Sequence, residues 1–319
     1  MSRTLTLLLP HVPTSVQQRL PALETLLARG DRHCDQPPHV QPRLLQLCRI
    51  ASSSAEGLPL GPLCALGDDL DSREGYWLCA EPVHLVADQD QVYLAGRADQ
   101  LAITEDEAVA LAAECNALFH EDGWQLLTPT PTRWYLHLPQ TWLLQTAPPD
   151  AAVGCAIRPL LPRGTDGLRL QAALTEIQML FHASAVNARR TATGQPAINS
   201  LWLWGGAVMP ALAPLPWQGL HGDEPLLRGI AACAGIAAGT AVAADGCAWL
   251  QGTGSSLVLL HGELPQLDTA WFTPLLDALR RGELAQLDIH LTATPYSYRL
   301  DRRAARRWWH RRRPLANLI

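Results

Sequence analysis

The 319-residue sequence contains no lysine, so all 25 of its basic residues are arginine. That absence excludes a Schiff-base lysine and the lysine of a phosphate-binding loop. The bias itself reads as GC-rich coding. Long apolar runs are missing too: the least polar stretch, 230–244, is mostly alanine and glycine, too short and too weakly apolar to span a bilayer. The opening MSRTLTLLLPHVP carries one arginine and a short apolar run stopped by Pro10 and Pro13, which fits a first buried strand better than a secretory signal. Eight cysteines occur without a CxxC pair or regular spacing, as expected of reduced thiols in a cytosolic chain. No internal repeat is present. These absences together predict a soluble, cytoplasmic protein with no transmembrane segment.

What is present suffices for a large core. The composition is 48% hydrophobic and 17% charged, ordinary for a globular protein of two lobes. Charge is spread unevenly. Residues 302–313 hold seven arginines and no acid, leaving 18 arginines against 30 acids over residues 1–301. This tail, DRRAARRWWHRRR, interleaves arginine with Trp308 and Trp309. Such a pattern binds phosphates and stacks on bases, or sits at an anionic lipid surface. Alternatively the tryptophans pack on the acidic body while the arginines stay solvated.

Four regions are expected. Residues 1–72 read as the N-terminal part of an α/β core, with a strand at 4–9, a helix at 16–28 and a Pro/Ser-rich loop. Residues 73–148 read as an α+β inserted domain, whose helix starts at a Thr104-x-x-Glu107 capping box. Residues 149–301 form the main α/β core, with a helix at 168–182 and strands at 201–204, 240–243, 256–260 and 286–291. Alternating helices and strands favour a mainly parallel sheet. Residues 302–319 are the tail.

The segment 174–207, LTEIQMLFHASAVNARRTATGQPAINSLWLWGGA, joins an amphipathic helix to an apolar strand that stops at Gly205-Gly206. Open α/β sheets bind ligands at such strand ends. Asn187 and Arg190, three apart, share one face of a helix or turn. They could hold a phosphate or carboxylate, or cap the preceding helix and pair with a neighbouring acid. His221, Asp223 and Glu224 open a helix, where acids suit the dipole. His33, Cys34 and His39 are soft-metal ligands by type but lack a second half-site. No G-x-S-x-G elbow supports a serine hydrolase.

Residues 174–206 resemble archaeal-type cofactor-independent phosphoglycerate mutases, in which a helix leads into a His-Pro-x-Asn-x-x-Arg pattern, a glycine and a Trp-Leu-Trp-Gly strand end. The matching residues are Asn187, Arg190, Gly194, Asn199, Trp202, Leu203, Trp204 and Gly205; Ser184-Ala185 replaces His-Pro. Residues 76–138 resemble the inserted domain of the same enzymes in strand order, in the Thr104-x-x-Glu107 helix start and in Trp134-Tyr135. The similarity is closer to a bacterial group named for the RpfE regulator of pathogenicity factors, with its phrase NEIQMLLH…VN…R…G…NSLWLWGGG. Thr175 stands for the Asn and Ala207 for the third glycine.

The resemblance implies an α/β fold: a reduced alkaline-phosphatase-like core with a mainly parallel sheet and an α+β inserted domain. It also implies two divalent metals, Mn or Mg, held by Asp and His clusters, and a transiently phosphorylated serine. The sequence departs from this pattern. Pro10-His11 stands where an Asp-Gly pair belongs, and His261, Glu263 and Asp268 lack the Asp-x-x-x-His spacing. The family's later Asp-His pair and final His find no counterpart. The expectation is a non-catalytic protein with a regulatory or binding role, no cofactor, and an anion pocket around Asn187, Arg190, Asn199, Gly205 and Gly206. Its partner would be a protein or a small phosphorylated metabolite. The alternative is an active metal-dependent mutase or phosphatase with rearranged ligands drawn from His221, Asp223, His261, Glu263 and Asp268. A second alternative is nucleic-acid or membrane-surface binding through the tail, nucleic acid being the less expected.

Overall fold

A computed structural model describes residues 3–10, 18–34, 37, 39–50, 58–89, 91–239, 245–310 and 312–318. The chain divides into two compact units, Met1–Ile50 with Leu212–Ile319, and Ala51–Ala211, which is inserted between them in sequence. In chain order the elements are β1 (Thr4–Leu9), α1 (Pro21–Arg29), β2 (Asp31–His33), α2 (Val40–Leu47), α3 (Leu60–Gly67), β3 (Tyr76–Asp88), β4 (Gln91–Gly96), α4 (Glu105–Leu118), β5 (Gln125–Thr130), β6 (Arg133–Leu138), α5 (Gly167–Ala183), α6 (Ala185–Ala192) and β7 (Ser200–Ala207). They continue as β8 (Gly219–His221), α7 (Pro225–Ala234), β9 (Ala237–Gly239), α8 (Gly246–Gln251), β10 (Ser256–Leu259), α9 (Leu264–Leu267), α10 (Thr273–Arg281), β11 (Gln286–Leu291), β12 (Ser297–Asp301) and α11 (Arg302–Ala305).

The first unit holds a seven-stranded sheet in the order β2-β12-β11-β1-β10-β8-β9. Five neighbouring strands from β11 to β9 run parallel, and β12 and β2 add an antiparallel edge. Side-chain alternation explains how this sheet finds its core. Leu5, Leu7 and Leu9 of β1, Leu287, Ile289 and Leu291 of β11, and Tyr298 and Leu300 of β12 join one apolar cluster with α1 and α10. The residues between them are mostly polar. Helix α1 has no cap of its own. Asp268, in a π-helical turn ahead of α10, supplies it by accepting from Ala22 N (3.1 Å) and Leu23 N (2.7 Å).

The second unit holds a five-stranded antiparallel sheet built around β3, which pairs with β4, β6 and β7. Helix α4 begins with the expected capping box: Glu107 N donates to Thr104 Oγ1 at 3.3 Å, and Thr104 N donates to Glu107 Oε2 at 3.0 Å.

Three expectations need correction. The apolar run at 201–204 predicts a strand of the parallel core sheet, whereas β7 runs antiparallel to β3 in the smaller sheet, Leu203 opposite Ala80. The reason is that both faces of β7 are covered. Leu201 and Leu203 enter one cluster with α5, and Trp202 enters another against which Trp204 packs. A strand covered on both faces reads in sequence like a parallel-core strand. The boundary between compact units therefore falls after Ala211, not at 148. The tail also departs from its packed reading. Trp308 and Trp309 are 78% and 60% exposed, while Arg307 pairs with Asp31 at 2.5 Å and Arg306 donates to Arg280 O at 2.7 Å. Beyond them Leu315 and Leu318 return to the core. The expected strand at 240–243, the start of the helix at 16–28, Ser52–54 and His11 lie outside the described residues. No helix among the described residues is long and apolar enough to cross a membrane.

Candidate functional site

Helix α5 carries two stripes. Leu170, Ala173, Leu174, Ile177 and Phe181 are buried in the core of the second unit, at the spacing of an amphipathic face. Beside them Gln171, Thr175, Gln178 and His182 line a cavity of about 890 Å³, whose other walls include β7 and the loop around Arg158. Gln178 Nε2 donates to Ser200 Oγ at 3.1 Å, and Gln171 Nε2 donates to Pro162 O at 2.7 Å. The volume lies in the range of small-ligand pockets. Amides and hydroxyls over an apolar floor suit binding. Among the described residues the hydrogen bonds of Ser200 Oγ run to the Gln178 amide and the Leu201 carbonyl, neither of them a base that would activate it as a nucleophile.

Only Asn199, of the five residues expected to bind ligand, lines this cavity. Its side chain acts as extra backbone: Oδ1 accepts from Leu85 N and Nδ2 donates to Leu85 O, both at 2.8 Å, beside a register shift in β3. Asn187 is buried at the start of α6. Its Nδ2 donates to Phe181 O and Ile198 O, and its Oδ1 accepts from Ile198 N, all at 2.8 Å. It thereby ties the end of α5 to the approach to β7. Arg190 is 1% exposed and donates to Pro196 O (2.8 Å), Glu107 Oε2 (2.8 Å) and Leu101 O. Gly205 has φ +64°, and a Cβ there would lie 2.8 Å from Leu60 Cβ. A Cβ on Gly206 would meet the Tyr76 hydroxyl at 2.7 Å. Asn187 and Arg190 are thus bonded within the fold, and the glycine pair admits α3 and Tyr76 against the sheet. The polar stripe of α5 was legible as spacing i, i+4, i+7, i+11, a signal masked by the apolar stripe next to it.

The residues available for metal lie in the first unit. His221 ends β8, and His261 follows β10 by two residues. Asp223 pairs with Arg228 at 2.8 Å, and both carboxylate oxygens of Asp268 cap α1. Among the described residues no three His, Cys, Asp or Glu side chains stand where they could share an ion. His221, Asp223, His261, Glu263 and Asp268 are therefore not brought together, and this donor set does not fit a two-metal centre.

No family model matches the chain. A stretch of 98 residues, 29% of the chain, is 32% identical to a probable 2,3-bisphosphoglycerate-independent phosphoglycerate mutase of Geobacter sulfurreducens and spans 25% of that protein. The fold is similar to that of a cofactor-independent phosphoglycerate mutase from Thermoplasma acidophilum, with a TM-score of 0.51 and 16% identity over 94% of this chain and 90% of that one. It is also similar to the PH0037 protein from Pyrococcus horikoshii, with a TM-score of 0.55 and 13% identity over 94% and 87% of the two chains. The chain thus has the mixed α/β, alkaline-phosphatase-like fold of these proteins, with a mainly parallel sheet.

Proposed function

We propose that this chain is a non-catalytic relative of the cofactor-independent phosphoglycerate mutases, akin to the RpfE-type group, acting in the cytoplasm by binding a small molecule or a protein. One observation carries the reading: among the described residues the candidate donors for a two-metal phosphoryl transfer do not assemble, because Asp268 serves α1 and Asp223 serves Arg228. Without two cations to neutralise the transferring group, the barrier to phosphoryl transfer stays high. A cytoplasmic location agrees with eight cysteines that form no disulfide. The test is metal analysis of the purified chain followed by a mutase assay on 3-phosphoglycerate with Mn²⁺. Sub-stoichiometric metal and no turnover are expected. Mn²⁺-dependent turnover would favour the alternative of a working mutase or phosphatase with rearranged ligands.

The exposed pair Trp308 and Trp309, set among arginines, favours a second reading in which the tail attaches the protein to an anionic membrane surface. Truncation is a poor test, because Leu315 and Leu318 belong to the core. Replacing both tryptophans by alanine is the cleaner one. Sedimentation with phosphatidylserine vesicles should fall severalfold in the double variant, and equal sedimentation would remove this reading.

A further inference from the structure

The seven-stranded sheet has an apolar face and a polar one. Opposite the core-facing leucines, β1, β11 and β12 present Thr4, Thr6, Asp288, His290, Ser297 and Arg299 to a cavity of about 700 Å³. His33, Arg49 and Trp217 are among its other walls. This cavity lies within the first unit and shares no residue with the one beside α5.

Three groups at this cavity or behind its wall are unusual. Arg43 of α2 is 0% exposed, yet among the described residues it donates only to neutral acceptors: the carbonyls of Pro37 (2.8 Å), Thr294 (2.9 Å) and Tyr296 (3.5 Å), and His290 Nδ1. No carboxylate pairs with it among the described residues. Burial lowers its pKa to about 10, so it is still a cation at neutral pH. A buried charge without a counter-ion is costly, and its field favours an anion nearby.

His290 stands between Arg43 and the cavity it lines. Arg43 Nη1 lies 3.4 Å from His290 Nδ1. A guanidinium has donors and no acceptor, so Nδ1 must accept and the ring proton must sit on Nε2. Burial, and then the neighbouring Arg43, hold the His290 pKa at about 3, which leaves the ring neutral at physiological pH. Its Nε2–H has no partner among the described residues. The result is a fixed, neutral donor backed by a cation.

Arg49 ends α2 in the left-handed region, at φ +54°. Its N–H donates to Gln46 O (3.0 Å) and that of Ile50 donates to Leu45 O (2.9 Å), a helix end that glycine makes at least cost. Arg49 itself lines the cavity, so an arginine at this position brings a positive charge to its wall. Asp288, the acidic residue of the lining, accepts from Arg299 Nε (2.8 Å) and Gln286 Nε2 (2.7 Å), which offsets its repulsion of an anion.

We infer that this cavity is a binding site for a small organic oxyanion, a phosphate- or carboxylate-bearing metabolite. Its head takes the His290 Nε2–H and the Arg49 guanidinium, and its body lies against Trp217. The site shares no residue with the metal-ligand candidates His221, Asp223, His261, Glu263 and Asp268, so it stands whether or not the chain turns over phosphoglycerate.

The test is isothermal titration of the intact chain with inorganic phosphate and, separately, with malonate, at constant ionic strength set with chloride. Saturable binding of phosphate alone identifies a phosphate head, and binding of malonate alone a carboxylate head. Either supports the site. Arg49→Gly is the decisive variant, because glycine relieves the backbone while removing the charge, so the fold should be kept. Losing one charge-assisted contact should weaken binding roughly ten- to a hundredfold, with partial recovery in Arg49→Lys. His290→Gln, tested alongside, should weaken it as well. The proposal is overturned if neither probe binds above the chloride background, or if both variants bind as the parent does.

Discussion

The two units treat buried arginine in opposite ways. In the second unit Arg190 meets the carboxylate of Glu107 as well as two carbonyls, and Asn187 beside it bonds three backbone groups. In the first unit Arg43 meets carbonyls and one imidazole nitrogen, and that imidazole keeps a donor in reserve. A buried polar group whose partners are all inside the fold fixes structure. One left with capacity beside a cavity is available to a ligand. The difference moves attention from the phrase that carries the family resemblance to a sheet face that carries none.

The largest effect should come from breaking the satisfied side of this contrast. Arg190→Met leaves the Glu107 carboxylate and two carbonyls without their partner, and should lower stability by about 3–5 kcal/mol in urea unfolding. A loss under 1 kcal/mol would mean that Arg190 is not a staple. The second prediction concerns His290. Its folded pKa, about 3, lies below the ordinary 6.5, so the unfolded chain binds more protons as the pH falls below 6.5. Stability due to this group is complete above 6.5 and is lost on acidification toward 3. Between pH 6.5 and 5.5 the loss should be about 1 kcal/mol. His290→Gln should remove that share, although Arg43, Arg299, His33 and Asp288 still surround the position. An unchanged pH profile in the variant would contradict the buried, neutral ring. The smallest effect belongs to the tail, where Trp308→Ala with Trp309→Ala should change stability by less than about 0.5 kcal/mol.

Local features were legible in the sequence. The alternation of TLTLLL and QLDIHL gave β1 and β11, and Thr104 with Glu107 gave the start of α4. The mainly parallel α/β class followed from alternating helices and strands. What depends on distant pairing was not legible. Asp268 reads as a metal ligand in sequence, but it caps a helix some 245 positions earlier. Strand β7 has apolar residues on both faces, so its pattern does not say which sheet it joins. Arg43 and His290 meet across 247 positions, and no spacing rule joins them. Sites assembled by sheet topology, not by a contiguous phrase, escape this kind of reading.

The contrast between the units can be measured in one spectrum. The chain has eleven tryptophans, and two of their indole N–H groups report on the two cavities. Trp217 donates to Thr6 Oγ1 at 3.1 Å beside the polar sheet face, and Trp202 donates to Ala147 O at 2.8 Å beside the α5 cavity. In a ¹H–¹⁵N titration with phosphate, assigned through Trp217→Phe and Trp202→Phe, the Trp217 signal should shift and saturate while that of Trp202 stays in place. A saturating shift of Trp202 with Trp217 unmoved would put the anion site back beside the motif and contradict the account.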